Sequence, residues 1–132
     1  MTSALSPETY LRKAEAALAG ARVLFATGDY DGACSRAYYA MFDAAHAALF
    51  ALGIEELRAP IKTHNGLIAK FGQAVVLPGH IEAVHGSDLN KVQSLRELAD
   101  YSGNPCSADN GAWAVARAQA VVGVVTGFVS KR

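Results

Sequence analysis

The sequence predicts an all-α fold, an up-and-down bundle of about five helices. Apolar residues recur at steps of three and four, and no segment alternates apolar with polar residues. Glycine and proline clusters separate these periodic stretches, and short connections favour antiparallel neighbours. The 132 residues, 52% of them hydrophobic, fit one domain spanning 1–132. Such a chain needs neither a disulfide nor a metal to fold.

The first two helices have clear boundaries in the sequence. Ser6 and Pro7 form a helix start, because serine caps and proline tolerates the first turn. Residues 28–32, Gly-Asp-Tyr-Asp-Gly, end this helix and begin the second. Gly53 follows the second helix in the position that favours a left-handed backbone. The apolar face of the second helix carries Cys34, Tyr38, Met41, Ala45, Ala48 and Leu52.

Three further helices follow. Thr63 caps a short third helix that runs to Gly72, and residues 77–79 form a turn. The fourth helix ends near Tyr101. Its predicted cap is Ser87 or Asp88, and that of the fifth helix is Ser107 or Asp109. The apolar stretch 112–129 is interrupted by polar residues, which favours a buried helix over a membrane span.

Composition limits the possible functions. Twelve basic and twelve acidic residues give a formal net charge of zero, which argues against bulk electrostatic capture of nucleic acid or membrane. The beginning of the sequence has no secretory pattern, so we expect a cytoplasmic protein without membrane association. Cys34 and Cys106 are expected to be buried free thiols, with a disulfide as the alternative. His80 and His85 are poorly spaced for a helical metal pair, so no metal or cofactor is predicted.

A polar stripe occupies the second helix opposite its apolar face. Arg36, Tyr39, Asp43 and His46 follow one another at steps of three, four and three. Such a stripe is normally a solvated face. Aromatic and imidazole groups within it favour a site or an interface instead.

The fourth helix places an arginine at the border of its apolar stripe. Arg96 needs a partner there, because an isolated buried charge is costly, and Asp100 lies one turn further on. The pair either ties the structure together or holds a guanidinium ready for phosphate. We expect Arg36 and Arg96 to approach each other, with Asp100 and either Tyr39 or Tyr101 within hydrogen-bonding reach.

The start of the third helix is a candidate anion site. If Thr63 caps that helix, His64 lies in its first turn beside Lys62. Free N–H groups and the positive end of the helix dipole suit an anion. The alternative is a histidine that is simply exposed.

Two motifs in this order carry a family resemblance. Residues 35–40 read SRAYYA and residues 96–101 read RELADY. A Gly-Asp-Tyr turn precedes the first motif, and a Thr-His-Asn-Gly segment lies between the two motifs. From residue 7 to residue 129, the chain resembles the small single-domain prokaryotic HEPN proteins. The resemblance implies a bundle of about five helices, often dimeric. It also implies a minimal nucleotidyltransferase on a separate chain as partner, as in toxin–antitoxin pairs whose HEPN member cleaves RNA without a metal.

The ribonuclease motif of these relatives is arginine, four to six residues, then histidine. Here Tyr101 stands at the histidine position, and no histidine follows His85. The usual acid–base group is therefore absent from its place, and tyrosine is a poor substitute at neutral pH. The pocket carried over from the resemblance consists of Arg36, Tyr39, Arg96, Asp100 and Tyr101.

Three functions compete. The first is a nucleotidyltransferase partner that binds RNA or nucleotide through Arg36, Tyr39 and Arg96. The second is a metal-independent endoribonuclease in which His64 or His46 replaces the missing histidine. The third is a non-catalytic helical interaction module.

A homodimer is expected. The hydrophobic content exceeds what one small bundle readily hides. Candidate contacts are the second helix and the small residues of the fifth helix, which are Ala116, Ala120, Gly123 and Gly127.

Overall fold

The computed structural model describes residues 6–54, 61 and 63–132. Among these residues there is no strand, and the predicted all-α bundle of five helices is confirmed. The helices are α1 (Pro7–Ala26), α2 (Tyr30–Ala51), α3 (His64–Phe71), α4 (Ala83–Tyr101) and α5 (Ala108–Ser130).

The ends of α1 and α2 follow local chemistry. The hydroxyl of Ser6 accepts a hydrogen bond from the Thr9 N–H at 3.1 Å, which makes Ser6 the cap predicted for α1. Asp29 caps α2 by accepting from the Gly32 N–H at 2.8 Å. Gly28 has a φ of +86° between the two helices, a backbone conformation that favours glycine.

The third helix begins as predicted and ends differently. The Thr63 hydroxyl accepts from the Gly66 N–H at 3.1 Å, so Thr63 is the cap. The chain does not stop at Gly72 but continues as a wider π-helical segment, Gly72–Val76. The predicted turn then follows, with Gly79 at a φ of +88°.

The predicted start of α4 is wrong. Neither Ser87 nor Asp88 caps the helix, which begins at Ala83 after Glu82. Gly86 resembles a helix breaker in the sequence, yet it lies inside the first turns. A Cβ at Gly86 would come within 3.1 Å of Val76 Cγ2, so the small residue serves the packing of α4 against the π-helical segment.

Helix α2 is the centre of the bundle. It packs against α1 and α5 and also touches α3 and α4. Alanines make up much of its buried surface, which lets neighbouring helices approach closely. Its larger buried residues are Tyr38, Met41 and Leu49. This arrangement directs the Tyr38 side of α2 towards α3 and α4.

Helix α5 combines a core face with an outer face. Its buried residues include Ala118, Val121 and Val125, and it packs on α2, α1 and α4. By length and hydropathy α5 would also suffice to cross a membrane, although a third of that apolar window is buried in the bundle. Cys34 and Cys106 are buried free thiols, as predicted.

Candidate functional site

Arg96 lies at the centre of the site. Its side chain is almost fully buried, with 8% of the residue exposed. Nη1 donates to Asp100 Oδ2 at 2.9 Å, so the ion pair predicted along α4 is present. The guanidinium carbon lies 5.0 Å from the centre of the Tyr38 ring and 5.8 Å from that of Tyr39. Two aromatic side chains of α2 therefore contact a cation supplied by α4.

Tyr38 also holds His64. The phenol oxygen lies 2.7 Å from His64 Nδ1, and the two ring centres are 5.4 Å apart. Burial raises the pKa of Tyr38, although Arg96 opposes that shift. Burial, together with the nearby Arg96 charge, lowers the pKa of His64 below its ordinary value of 6.5.

The pKa shifts give the protonation states at neutral pH. A phenol with a raised pKa keeps its proton, and an imidazole with a lowered pKa is neutral. Because the buried Tyr38 hydroxyl has no other hydrogen-bond partner among the described residues, we assign the bond as Tyr38 O–H donating to His64 Nδ1. The proton of the neutral ring is then on Nε2, which leaves His64 as a hydrogen-bond donor at its other nitrogen.

An aromatic wall continues from this cluster along α2. Phe42 lies 4.9 Å from His64 and 4.9 Å from His46, measured between ring centres. Behind it, His46 stacks on Tyr10 of α1 at 4.7 Å and is only 4% exposed. The polar stripe predicted on α2 is therefore not a solvated face: it is exposed at Arg36, half-buried at Tyr39, and buried at its His46 end.

On the α1 side of this wall is a groove of about 450 Å³. We call it the basic groove; its lining is Lys13, Ala16, Arg36, Tyr39, Phe42 and Asp43. A Cβ at Gly20 would lie 3.8 Å from Arg36 Nε, so the Arg36 side chain extends along α1. Burial raises the pKa of Asp43, and the charges of Lys13, His46 and Arg36 limit the rise. The groove thus combines two cations, two aromatic side chains and one poorly solvated carboxylate.

The site residues predicted from the sequence are divided between the surroundings of Arg96 and the basic groove. Tyr39 is common to both, because its ring faces Arg96 and its side chain also lines the basic groove beside Arg36. Asp100 is bound to Arg96, and His64 joins the same cluster through Tyr38. Arg36 lies in the basic groove, and its approach to Arg96 stays a prediction.

One predicted residue, Tyr101, lies elsewhere. Tyr101 is 79% exposed and lines a separate depression with Ser94, Glu97 and Ser102, because it is turned about 140° around α4 from Arg96. It does not complete the Arg96 cluster. Lys62 is outside the residues that the structure describes.

The sequence pattern predicts Tyr38 as a core residue and does not predict Lys13 as part of the site. The signal for Tyr38 was available in principle, since a buried phenol hydroxyl normally has a hydrogen-bond partner. Lys13 lies on α1, and only the packing of α1 on α2 brings it beside Arg36. Within the described part of the chain, no group of three or more histidine, cysteine, aspartate or glutamate side chains is placed to hold a metal ion.

Comparison with known proteins agrees with this architecture. The family model described as HEPN domain matches residues 7–127. A UPF0332 protein of Gloeobacter violaceus is 31% identical over 121 residues, covering 90% of this chain and 92% of that protein. A protein of Methanocaldococcus jannaschii named "Putative toxin" is 38% identical over 89 residues, covering 67% of this chain and 63% of that protein.

A UPF0332 protein of Pyrococcus horikoshii is 35% identical over 95 residues, which are 72% of this chain and 63% of the relative. The match with the HEPN model extends over almost the whole described bundle, from the first turn of α1 to the last turns of α5. The chain belongs to the HEPN domain family.

Proposed function

We propose that this protein is a toxin-type HEPN domain that binds RNA or a nucleotide by its phosphate groups at the Arg96 cluster, which consists of Arg96, Asp100, Tyr38, Tyr39 and His64. The observation that carries the proposal is the position of Arg96, a nearly buried guanidinium that lies over two tyrosine rings. Its Nε is buried and has no hydrogen-bond partner among the described residues. The relative named as a toxin supports the coarse assignment.

The chemistry of the cluster suits a phosphate. A guanidinium has five N–H donors, and Asp100 takes one of them at Nη1, so donors remain for a second anion. His64 offers its Nε2 proton beside the same tyrosine. Asp100 is itself 43% exposed at its side chain, so the edge of the ion pair faces solvent. A purely structural pair would be expected to be sealed.

The surroundings favour a single-stranded ligand. Tyr39 connects the Arg96 cluster to the basic groove, where Lys13 and Arg36 supply two further cations. Proteins that bind single strands combine such cations with aromatic faces on which bases stack. A chain of nucleotides can therefore place one phosphate at Arg96 and another between Lys13 and Arg36, with a base against Tyr39 or Phe42.

A second candidate, metal-independent endoribonuclease, is favoured by one observation. His64 shares Tyr38 with Arg96, so an imidazole lies beside the cation that would stabilise a phosphorane. Its Nδ1 is engaged by Tyr38, so the ring donates at Nε2 and suits the role of acid better than that of base. His46, the alternative histidine, is buried in its stack and is a poor candidate. We therefore place binding before catalysis.

The experiment is a binding titration of labelled single-stranded RNA followed by fluorescence anisotropy. We expect Arg96→Ala to weaken binding about 10- to 100-fold, the effect of removing charge-assisted hydrogen bonds. The matched control is Arg22→Ala, which removes an exposed arginine of α1 and the same unit of charge. Equal losses in the two variants would reject a specific site. Absence of binding by the unaltered protein would leave the interaction module as the better assignment.

The partners belong to the same proposal. From the family resemblance we propose a minimal nucleotidyltransferase on a separate chain as partner, a homodimer as the assembly and the cytoplasm as the location. A tagged copy expressed in the native host and recovered under mild conditions should carry the nucleotidyltransferase in stoichiometric amount. Recovery of the tagged chain alone from cells that express both proteins would contradict this.

A further inference from the structure

A second groove lies on the other side of α3, between α3, the π-helical segment and α4. Its volume is about 550 Å³, within the range of small-ligand sites. We call it the amide groove; its lining is Asn65, Ile68, Ala69, Gly72, Gln73, Leu77 and Asn90. None of these side chains is charged. Three carry carboxamides, and the others present apolar or bare backbone surface.

The hydrogen bonds of two carboxamides leave complementary groups free. Asn90 Nδ2 donates to the Gly86 carbonyl at 3.3 Å, so its amide oxygen is left to accept. Gln73 Oε1 accepts from Lys70 Nζ at 3.4 Å, so its amide N–H groups are left to donate. An acceptor on α4 and a donor on the π-helical segment therefore line the same groove.

The groove is open at Gly72 and at Leu77. A Cβ at Gly72 would meet none of the described residues within 4 Å. Leu77 is 81% exposed and supplies an apolar wall. A planar, uncharged ligand with adjacent donors and acceptors fits such a lining, and the Lys70 ammonium beside Gln73 is engaged by the Gln73 amide oxygen.

The groove also adjoins the Arg96 cluster. Asn65 directly follows His64, and the Arg96 and Glu97 charges both act on His64, so the end of α4 lies near the start of α3. Asn90 precedes Arg96 by six residues on α4, which places it about 9 Å away along the helix axis and about 120° around it. Two or three nucleotides of a single strand cover the axial part of this separation, at about 3.4 Å per nucleotide when stacked, and the strand must also follow the surface around the helix.

We infer that the amide groove is a nucleobase subsite, in which Asn65, Gln73 and Asn90 read the edge of a base belonging to the RNA strand whose phosphate is at Arg96. The inference rests on the proposed function and adds sequence preference to it. Asparagine and glutamine match the paired donors and acceptors of base edges. Stacking on Tyr39 or Phe42 tolerates any base, so discrimination between bases belongs to the amides.

The test compares four labelled eight-unit ligands: oligoadenylate, oligocytidylate, oligouridylate and a ribose–phosphate chain without bases. Anisotropy titrations give the affinity of each for the unaltered protein and its variants. We expect the unaltered protein to prefer one base over another by about 5-fold or more, the usual discrimination of a bidentate amide contact. In the double variant Asn65→Ala/Asn90→Ala this ranking should collapse to differences below about 2-fold.

Two further variants test whether the effect is specific to the groove and whether it depends on the folding of the double variant. Gln119→Ala removes an exposed carboxamide of α5, outside the groove, and should keep the ranking. Asn90→Ala alone, a change on the exposed surface of α4, should reduce the ranking if the double variant does not fold. The subsite would be overturned if the protein bound RNA without base preference, or if both amide variants kept the preference. Either result would leave the proposed function standing. Failure of all four ligands to bind would instead reject the proposed function.

Discussion

The phenol oxygen of Tyr38 lies 2.7 Å from Nδ1 of His64, which joins a core helix to the first residue of α3. The guanidinium carbon of Arg96 lies 5.0 Å from the ring centre of the same tyrosine. One side chain thus orients both the imidazole and the cation. The residues of the proposed phosphate site are consequently positioned by the core of the bundle.

Stability should depend on the ionisation of His64. Its pKa is lowered in the folded protein, so the unfolded chain takes up a proton at a higher pH than the fold does. The contribution of neutral His64 to the free energy of unfolding is complete above pH 6.5, its ordinary pKa. It is lost as the pH falls from there through the pKa of His64 in the folded protein. Denaturant unfolding at pH 7.5 and 5.5 should show a smaller loss of unfolding free energy for His64→Gln than for the unaltered protein. An equal pH dependence would contradict this coupling.

Asp43→Asn is expected to stabilise the protein at neutral pH. The pKa of Asp43 is raised by burial, so the fold disfavours the carboxylate. The stability linked to the protonated form is present below the ordinary value of 3.8 and lost as pH rises through the folded pKa. The variant should therefore melt at a higher temperature at pH 7 and at an unchanged temperature at strongly acidic pH. The same change should tighten RNA binding, since it removes the anion of the basic groove; weaker binding would argue against phosphate in that groove.

The outer face of α5 is the expected dimer contact. Gly123 is exposed there, and a Cβ would meet none of the described residues within 4 Å. Light scattering should give the unaltered protein twice the chain mass of 13.8 kDa, and Gly123→Arg should give the monomer mass. Ala19→Arg, which places the same side chain on the exposed surface of α1, should leave the mass doubled. A monomeric unaltered protein at tens of micromolar would remove the dimer from the account.

The isolated chain should cleave RNA weakly or not at all. Tyr101 replaces the expected histidine and lies outside the Arg96 cluster, and a missing acid–base group typically costs about 10²–10⁴-fold in rate. Any residual cleavage should persist with a chelator present. Robust chelator-resistant cleavage that His64→Ala abolishes would replace binding by catalysis as the primary function.

Local sequence signals predicted much of the fold but not every boundary. The caps Ser6, Thr63 and Ser107 depend on hydrogen bonds within three residues, and such signals are legible without tertiary structure. The start of α4 lacks such a signal, because the side chain of the residue that precedes it, Glu82, makes no capping hydrogen bond. The π-helical segment had no distinguishing local pattern.

The sequence predicts several residues of the candidate site but not which of them the fold brings together. Periodicity placed Arg96 at the edge of an apolar stripe beside Asp100, and the ion pair followed from its cost when unpaired. Periodicity assigned Tyr38 to an apolar face but could not say that His64 and Arg96 would meet there. That meeting depends on how α3 and α4 pack on α2, which is set by contacts between distant parts of the chain.

Occupation of the Arg96 cluster can be observed directly at His64. The imidazole signals, assigned by comparison with His64→Gln, would be followed by NMR while single-stranded RNA is added at several pH values. The account predicts that bound phosphate shifts these signals and raises the pKa of His64, because an anion beside the ring favours its charged form. Arg96→Ala should suppress both effects. His64 signals and a His64 pKa unchanged by saturating RNA would contradict the central claim that this cluster binds phosphate.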